Sequence, residues 1–522
     1  MRLIGQGMIA AAALALTACA SPGLEMADLL IRGGTVYTGS DAPFTGDVAI
    51  RGDRIAAVGP GAGRRARRII DASGLIVAPG FIDPHTHVGD DLRSGDARTR
   101  LIRAFLMQGV TTAFIGNDGG GDPDVAAVLG SASIKPVGIN YAAFVGFGSV
   151  RKAVVGEANR APTPGEIERM QAMVVRAMCD GALGLSTGLF YAPESFADTA
   201  EIVALASKAA AAGGIYDTHI RDESSYTIGL AAAIDEAIAI GRQAGLPVNI
   251  SHIKALGVDV QGKAPLIIAR IEAARRSGQR ITADQYPWSA SGTKLAAALV
   301  PSWAQDGGRP ALLERLDDSA LAGRLRSGMA ENLRKRGGAG ALLITQGEFS
   351  GATLAALAKS RGEDPVAAAI AVIRIQDPAV ASFNQSEQDI AAFMRRPWVM
   401  TSSDASPGHP RVFGSFARKY AKYVVAERTL TLREFSERSS TLAAATFGLA
   451  GRGRLEPGTF ADIVVFDPGR FAARATYDRP TLLATGVRHV LVNGVIAVDD
   501  GALTGRAAGR ALAHTPTPGS CR

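Results

Sequence analysis

The chain begins and ends in short stretches where apolar and polar residues alternate, and its middle is built from runs of a different kind. At 27–78, "LLIRGGTVYTG", "GDVAIRGDRIAAVGP" and "RIIDASGLIVAPG" alternate between Gly and Asp turns, the period of two that marks strands. "GRLEPGTFADIVVFDPG" and "VRHVLVNGVIAVDDG" repeat this texture near the C-terminus. Two β-rich ends around a long middle predict one small β-sandwich domain assembled from residues 20–78 and 449–512.

The middle alternates strand-length apolar runs with helical-period segments. The runs fall at 79–87, 110–116, 137–143, 181–187, 214–219, 247–252, 280–286 and 397–403. That is the number of strands a (β/α)8 TIM-like barrel needs, so residues 79–448 are expected to form one, of α/β class. The clearest helix is "DTAEIVALASKAAAAGG", with Asp198 and Glu201 at capping-box spacing and Gly213-Gly214 to end it. A further helix around 226–243 is expected to stop before Gly245. The stretch of about 290–396 is too long for a connection and is expected to be an insertion with helices of its own. No internal repeat is visible.

Composition narrows the class. A chain of 522 residues exceeds one ordinary core, which suits a barrel plus a smaller domain. Hydrophobic content of 47% and charged content of 20% describe a soluble globular enzyme. The net charge of +7 raises the question of nucleic acid. Lys and Arg are scattered, however, and the one dense run, "GRRARR" at 63–68, reads as a solvated loop without aromatic neighbours. No nucleic-acid partner is expected.

The N-terminus, "MRLIGQGMIAAAALALTACAS", has Arg2, an apolar stretch too short to span a bilayer, and Leu16-Thr17-Ala18-Cys19. Residues 1–19 resemble a secretory signal with a bacterial lipobox, which would leave Cys19 as a lipidated first residue. The competing reading is an ordinary signal peptide with an incidental cysteine. Either one sends the mature protein to the bacterial cell envelope; in the lipobox reading a lipid anchor would be its one membrane contact. Cys179 and Cys521 remain; they show no Cys-x-x-Cys spacing, and a bridge between them stays an open question.

The chemistry concentrates at strand ends. "GFIDPHTHVGDD" places His85 and His87 on one face of the first strand by alternation. His219 ends the fifth run, His252 ends the sixth, and Asp404 follows the eighth. In a parallel barrel these C-terminal ends converge on one mouth, and four of the chain's seven histidines fall there. Imidazole and carboxylate ligands of this kind suit Zn2+ or a similar divalent ion. Asp83 shares the parity of His85 and His87 but lies deeper, in a supporting place. His409, in "SPGHPR", is either a further site residue or a loop histidine holding its own backbone. His489 and His514 read as surface residues.

These motifs carry a resemblance. "PGFIDPHTH", "THIRDE", "SHIKALG", "SSDASPGHPR" and "PGTFADIVVFDP", with "GLSTGLFYAPESFADTAEI" and "TADQYPWSASGT", resemble the amidohydrolase superfamily. Within it they are similar to the N-acyl-D-amino-acid deacylase (D-aminoacylase) family, over nearly the whole mature chain. The resemblance implies metal-dependent hydrolysis of the amide bond of N-acyl-D-amino acids, with one or two zinc ions. His219 and His252 would hold one ion, and His85, His87 and Asp404 the other. The family has a metal-binding cysteine after the second strand in a Gly-Asn-Cys-Gly context. Here the matching "IGNDGGG" puts Asp118 at that place, and a carboxylate can bridge two ions as a thiolate does. A carboxylated lysine, used elsewhere in the superfamily, would fall to Lys135.

The resemblance also implies roles in turnover. Asp404 would take a proton from water acidified by the metal and return it to the departing amine. Tyr191 would help stabilise the tetrahedral oxyanion. Arg411, Lys254 and Tyr286 would bind the substrate carboxylate. Arg221 and Asp222 would brace the loops. Two other readings stay open: a dipeptidase or cyclic-amide hydrolase of the same superfamily, and a non-catalytic ligand-binding barrel. Against the second stands the complete set of His85, His87, His219, His252 and Asp404.

Overall fold

The computed structural model of the protein describes residues 26–63 and 65–521. The signal and lipobox reading at 1–19, including Cys19, lies outside the described residues. Among the described residues no helix is long and apolar enough to cross a membrane.

The barrel is made of parallel strands in chain order, here called the first to eighth. They are Phe81–Asp83, Val110–Ile115, Asn140–Ala143 (continued by Val145–Gly146), Gly184–Gly188, Ile215–His219, Val248–Ile250, Ile281–Gln285 and Val399–Thr401. Each pairs in parallel with the next in the ring, except where single main-chain bonds do the work. Leu183 N–H donates to Ala143 O at 2.8 Å, joining the third strand to the fourth. The ring closes beyond the first and eighth strands: Asp404 N–H donates to His85 O and His87 N–H to Ala405 O, both at 3.0 Å. Main-chain hydrogen bonds therefore tie together two segments that carry candidate site residues.

Helices cover the barrel with apolar stripes, as parallel sheets demand. The helix Thr199–Ala211 buries Ile202, Leu205, Ala206 and Ala209. Its cap is half of a capping box. Asp198 accepts the Glu201 N–H at 2.8 Å, while the Glu201 carboxylate turns to the buried Arg151 at 2.9 Å. The next helix, Leu230–Ala244, ends at Gly245, whose φ of 76° costs a side chain dearly.

Both chain ends interleave in one nine-stranded sheet. Ile76–Pro79 lies between Ala27–Val36, to which it runs parallel, and Ile463–Phe466, to which it runs antiparallel. The expected β-sandwich domain takes the form of this continuous sheet. Leu29, Ile31, Val48, Ile55, Val77, Ile463, Val465 and Leu491 pack into a core apart from that of the barrel. Gly80 is the joint between sheet and barrel; a Cβ there would fall 2.3 Å from Thr111 Oγ1.

After the seventh strand, Ala290–Lys294 pairs antiparallel with Ala379–Phe383, which also pairs with Leu342–Ile344. The helices between them enclose a separate core that includes Leu299, Met329, Ile344 and Val372. This insertion lies over the strand ends.

The C-terminal tail runs the other way, across the beginnings of the third to fifth strands. Leu512 N–H donates to Tyr141 O, His514 N–H to Gly181 O, and Thr517 N–H to Ala212 O. A disulfide joins Cys521 to Cys179. The two histidines expected at the surface are drawn into structure. His514 Nε2 bonds Ala212 O at 3.0 Å, and His489, 8% exposed, pairs with Asp499 at 3.1 Å.

Candidate active site

Strand ends bring together side chains that lie far apart in the chain. His85 and His87 follow the first strand; their Nε2 atoms stand 3.4 and 3.5 Å from the two oxygens of Asp118. His87 Nε2 is also 3.3 Å from Asp404 Oδ1. His219 closes the fifth strand and His252 follows the sixth. His219 Nδ1 and His252 Nε2 are 3.0 Å apart and lie 3.9 and 3.4 Å from Asp118 Oδ1. The donors form two groups that share Asp118: one with His85, His87 and Asp404, the other with His219 and His252. Within each group the donor atoms lie within 4.8 Å of one another.

The backbone is bent to aim these groups inward. Asp118, His252 and Asp404 have φ of 54°, 36° and 47°, in the left-handed region. Each costs on the order of 1–3 kcal/mol for a residue with a Cβ, strain that surrounding structure must hold. Next to Asp118, Gly119 also has positive φ, and a Cβ on it would fall 2.0 Å from Glu194 Oε1.

A divalent ion fits this donor set. Ligands about 2.0–2.1 Å from a tetrahedral zinc lie roughly 3.3 Å from one another. The His85–Asp118, His87–Asp118, His87–Asp404 and His252–Asp118 separations run from 3.3 to 3.5 Å. His85 Nε2 and Asp118 Oδ1 are buried without a hydrogen-bond partner, an arrangement costly to leave unsatisfied. Burial opposes charge on His87 and His252, yet Asp118 and the other carboxylates push them up to about 9 and about 10. A field that holds protons so firmly also holds a cation.

Beneath the donors a buried polar network crosses the barrel. Asn117 Nδ2 donates to Asp217 at 2.9 Å, and Asn249 Nδ2 donates to Asp217 and Asp284, each at 2.8 Å. Asp284 accepts the His252 N–H at 2.9 Å, and Asp83 accepts the Ser403 N–H at 3.0 Å. Burial pushes Asp83 up to about 7 and Asp217 up to about 6. Of the carboxylates in this network only Asp83 was expected from the sequence.

The cationic candidates are engaged. Arg411 Nη1 lies 2.7 Å from Asp404 Oδ2, and its Nη2 donates to Asp404 Oδ1 at 2.9 Å and to Ser406 Oγ at 2.6 Å. Burial raises the Asp404 carboxyl, but Arg411 and His252 hold it well below the usual carboxylate range. Lys254 Nζ donates to Glu223 Oε1 at 2.5 Å and lies 2.8 Å from His252 Nδ1. Glu223 was missed in the sequence, where it follows Asp222 in a loop of no regular period. Asp222 accepts the Ser224, Thr227 and Gly229 N–H groups, and Arg221 pairs with Glu236, so both brace the loop. Tyr286 Oη accepts from Gln385 at 2.9 Å, and Tyr191 Oη lies 3.4 Å from Thr293 Oγ1.

His409 meets both of its readings: it lines the cavity and it holds its own loop. Its Nδ1 accepts the Arg411 N–H at 3.1 Å and its Nε2 meets Ala290 O at 3.2 Å, so both nitrogens are occupied. Burial and Arg411 hold it well below its ordinary value, in the neutral form this pattern needs. Lys135 is a correction. It caps the helix Val125–Ile134 ahead of the third strand, is exposed, and donates to Arg93 O. The barrel has its donors at the other ends of the strands. A cavity of about 480 Å3 opens over those donors, walled on its outer side by Gly292, Thr293, Arg336 and Gln346 of the insertion.

Comparison with known proteins agrees with this geometry. Residues 68–498 match the amidohydrolase family. The chain is 35% identical to a D-aminoacylase of Alcaligenes xylosoxydans xylosoxydans over 94% of its length and 98% of that protein. A crystal structure of D-aminoacylase superposes with a TM-score of 0.80 at 34% identity, covering 93% of this chain and 99% of that one. An N-acyl-D-glutamate deacylase from Bordetella bronchiseptica, solved with zinc and a phosphonate mimic of its tetrahedral intermediate, superposes at 0.79 and 34% identity. That match covers 94% of this chain and 100% of that one. The chain belongs to the amidohydrolase family, in its D-aminoacylase group.

Proposed function

We propose that the protein is a zinc-dependent hydrolase that cleaves the amide bond of N-acyl-D-amino acids, releasing a carboxylate and a D-amino acid. The observation that carries this reading is Asp118 between two histidine pairs, with Asp404 beside them on the floor of one cavity. His85, His87, Asp118 and Asp404 would hold one ion, and Asp118, His219 and His252 a second. Bound zinc supplies a Lewis acid for the acyl carbonyl and lowers the pKa of water from about 15.7 toward about 7.

The remaining work belongs to the chain's own groups. Asp404, ionised by its neighbours, accepts the proton of the attacking water and passes it to the departing amine. Burial and the nearby Asp118 charge raise the Tyr191 hydroxyl, so it stays protonated and donates to the developing oxyanion. Arg411 Nε, buried and without a partner, donates to the substrate α-carboxylate, with Tyr286 and Lys254 on the same wall. The test is turnover of N-acetyl-D- and L-amino acids, dipeptides and hydantoins. The reading expects the N-acetyl-D-amino acids to lead; a preference for dipeptides or cyclic amides would replace it.

We also propose that the protein resides in the bacterial cell envelope on a lipid at Cys19. The N-terminal sequence supports this, as does the Cys179–Cys521 disulfide, a bond that persists in oxidising compartments. Radiolabelled palmitate should enter the wild type and not Cys19→Ala.

A further inference from the structure

The cavity walls hold one buried cation that the reaction described above does not use. Three carboxylates line the cavity: Asp118, Glu223 and Asp404. Asp118 faces histidines, Glu223 pairs with Lys254, and Asp404 pairs with Arg411. Arg336, just past the helix Ser319–Lys335, lines the same cavity at 2% exposure. Its Nε donates to Ala298 O at 3.0 Å and its Nη1 to Ser382 Oγ at 3.2 Å. Among the described residues no carboxylate comes within ion-pair reach of it. A buried charge left without a counter-charge is expensive, and here the open side is the substrate cavity.

A second group points to the same ligand. Tyr226 lines the cavity, its ring lies 5.6 Å from the Arg336 guanidinium carbon, and its hydroxyl is buried with no hydrogen-bond partner. A guanidinium without a counter-charge and a phenol without an acceptor together suit a carboxylate.

The strands of the insertion set this pair beside the reacting centre. A Cβ on Gly292 would lie 3.0 Å from Arg411 Nη2, and Thr293 touches Tyr191. Ser382, which holds Arg336, stands directly opposite Ser291 on the neighbouring strand. Arg411 thus lies against one strand of this antiparallel pair and Arg336 is held by the other, and both line the cavity.

We propose that Arg336 and Tyr226 form a second anion subsite, which receives the side-chain carboxylate of an acidic N-acyl-D-amino acid. This rests on the deacylase reading and names its substrate class. Arg411 takes the α-carboxylate and Arg336 the distal one, so a neutral side chain leaves Arg336 buried and unpaired.

The test measures kcat/KM of the zinc-loaded full-length enzyme for N-acetyl-D-glutamate, N-acetyl-D-aspartate and N-acetyl-D-leucine. Wild type is compared with Arg336→Met, Arg336→Lys and Tyr226→Phe, each checked by thermal melting. The wild type should favour an acidic substrate by about tenfold or more. Arg336→Met should lower the acidic-to-neutral ratio by about tenfold, chiefly through KM; Arg336→Lys should recover part of it, and Tyr226→Phe should lower it about threefold. If Arg336→Met does not fold, the other two variants carry the ratio. A wild type that favours leucine, or variants that slow all three substrates equally, would overturn the subsite and leave the deacylase reading standing. No turnover of any of the three would overturn both.

Discussion

Asp404 has two tasks that pull against each other: it faces the histidine cluster, and it must stay ionised while buried. Arg411 reconciles them with two contacts at 2.7 and 2.9 Å. Asp404→Asn keeps the shape and removes the base, so kcat should fall by roughly a thousandfold in steady-state assays, within the range general bases supply. Asp118 is the other pivotal residue, since both donor groups contain it. Asp118→Ala should lower the zinc bound per chain, as read by elemental analysis of the purified protein, with the melting transition kept. His85 and His87 are legible in the sequence because alternation and a strand end point them the same way. Asp217 carried the same signal, two residues ahead of His219 in "IYDTH", and so was open to the parity reasoning that picked out Asp83. Glu223 and Arg336 carried no such signal. One sits in an irregular loop and the other past a helix end in the insertion, and only tertiary folding brings them to the cavity.

The eight apolar runs were readable because each strand is nearly wholly buried, as in Val110–Ile115 and Ile215–His219. From sequence the boundary between sheet and barrel falls at 78/79, where the apolar character does not change. Ile76–Pro79 belongs to the β-sheet and Phe81–Asp83 to the barrel, and both are equally apolar. The tail from Arg506 to Cys521 shows no period at all, because main-chain groups hold it and leave no side-chain pattern. Helix ends are more local. Thr163 and Glu166 form a full capping box at the start of Pro164–Cys179, the helix that carries the disulfide. Bonds from Arg160 and the Thr163 N–H hold Glu166 down at about 2, below its ordinary 4.5. A depressed carboxylate contributes stability that is present above pH 4.5 and is lost as pH falls toward 2. Glu166→Gln should therefore lower the melting temperature at pH 7, and the gap from wild type should narrow in melts taken from pH 4.5 down.

The whole molecule divides its two ends between separate tasks. The mouth of the barrel holds the donors under the insertion, and the opposite end is strapped by the tail and closed by a disulfide spanning 342 residues. Closing so long a loop restricts the unfolded chain, so Cys179→Ser should cost about 2–4 kcal/mol in denaturant unfolding. Turnover should change less than about twofold, because the strap does not touch the cavity.

The most direct test of the metal-centred site is to remove zinc and return it. Protein stripped by a chelator and dialysed should hydrolyse an N-acetyl-D-amino acid at less than about 1% of the starting rate, and added zinc should restore it. Stripped and zinc-restored samples that turn over equally fast would contradict the assignment of those histidines and aspartates to a catalytic ion.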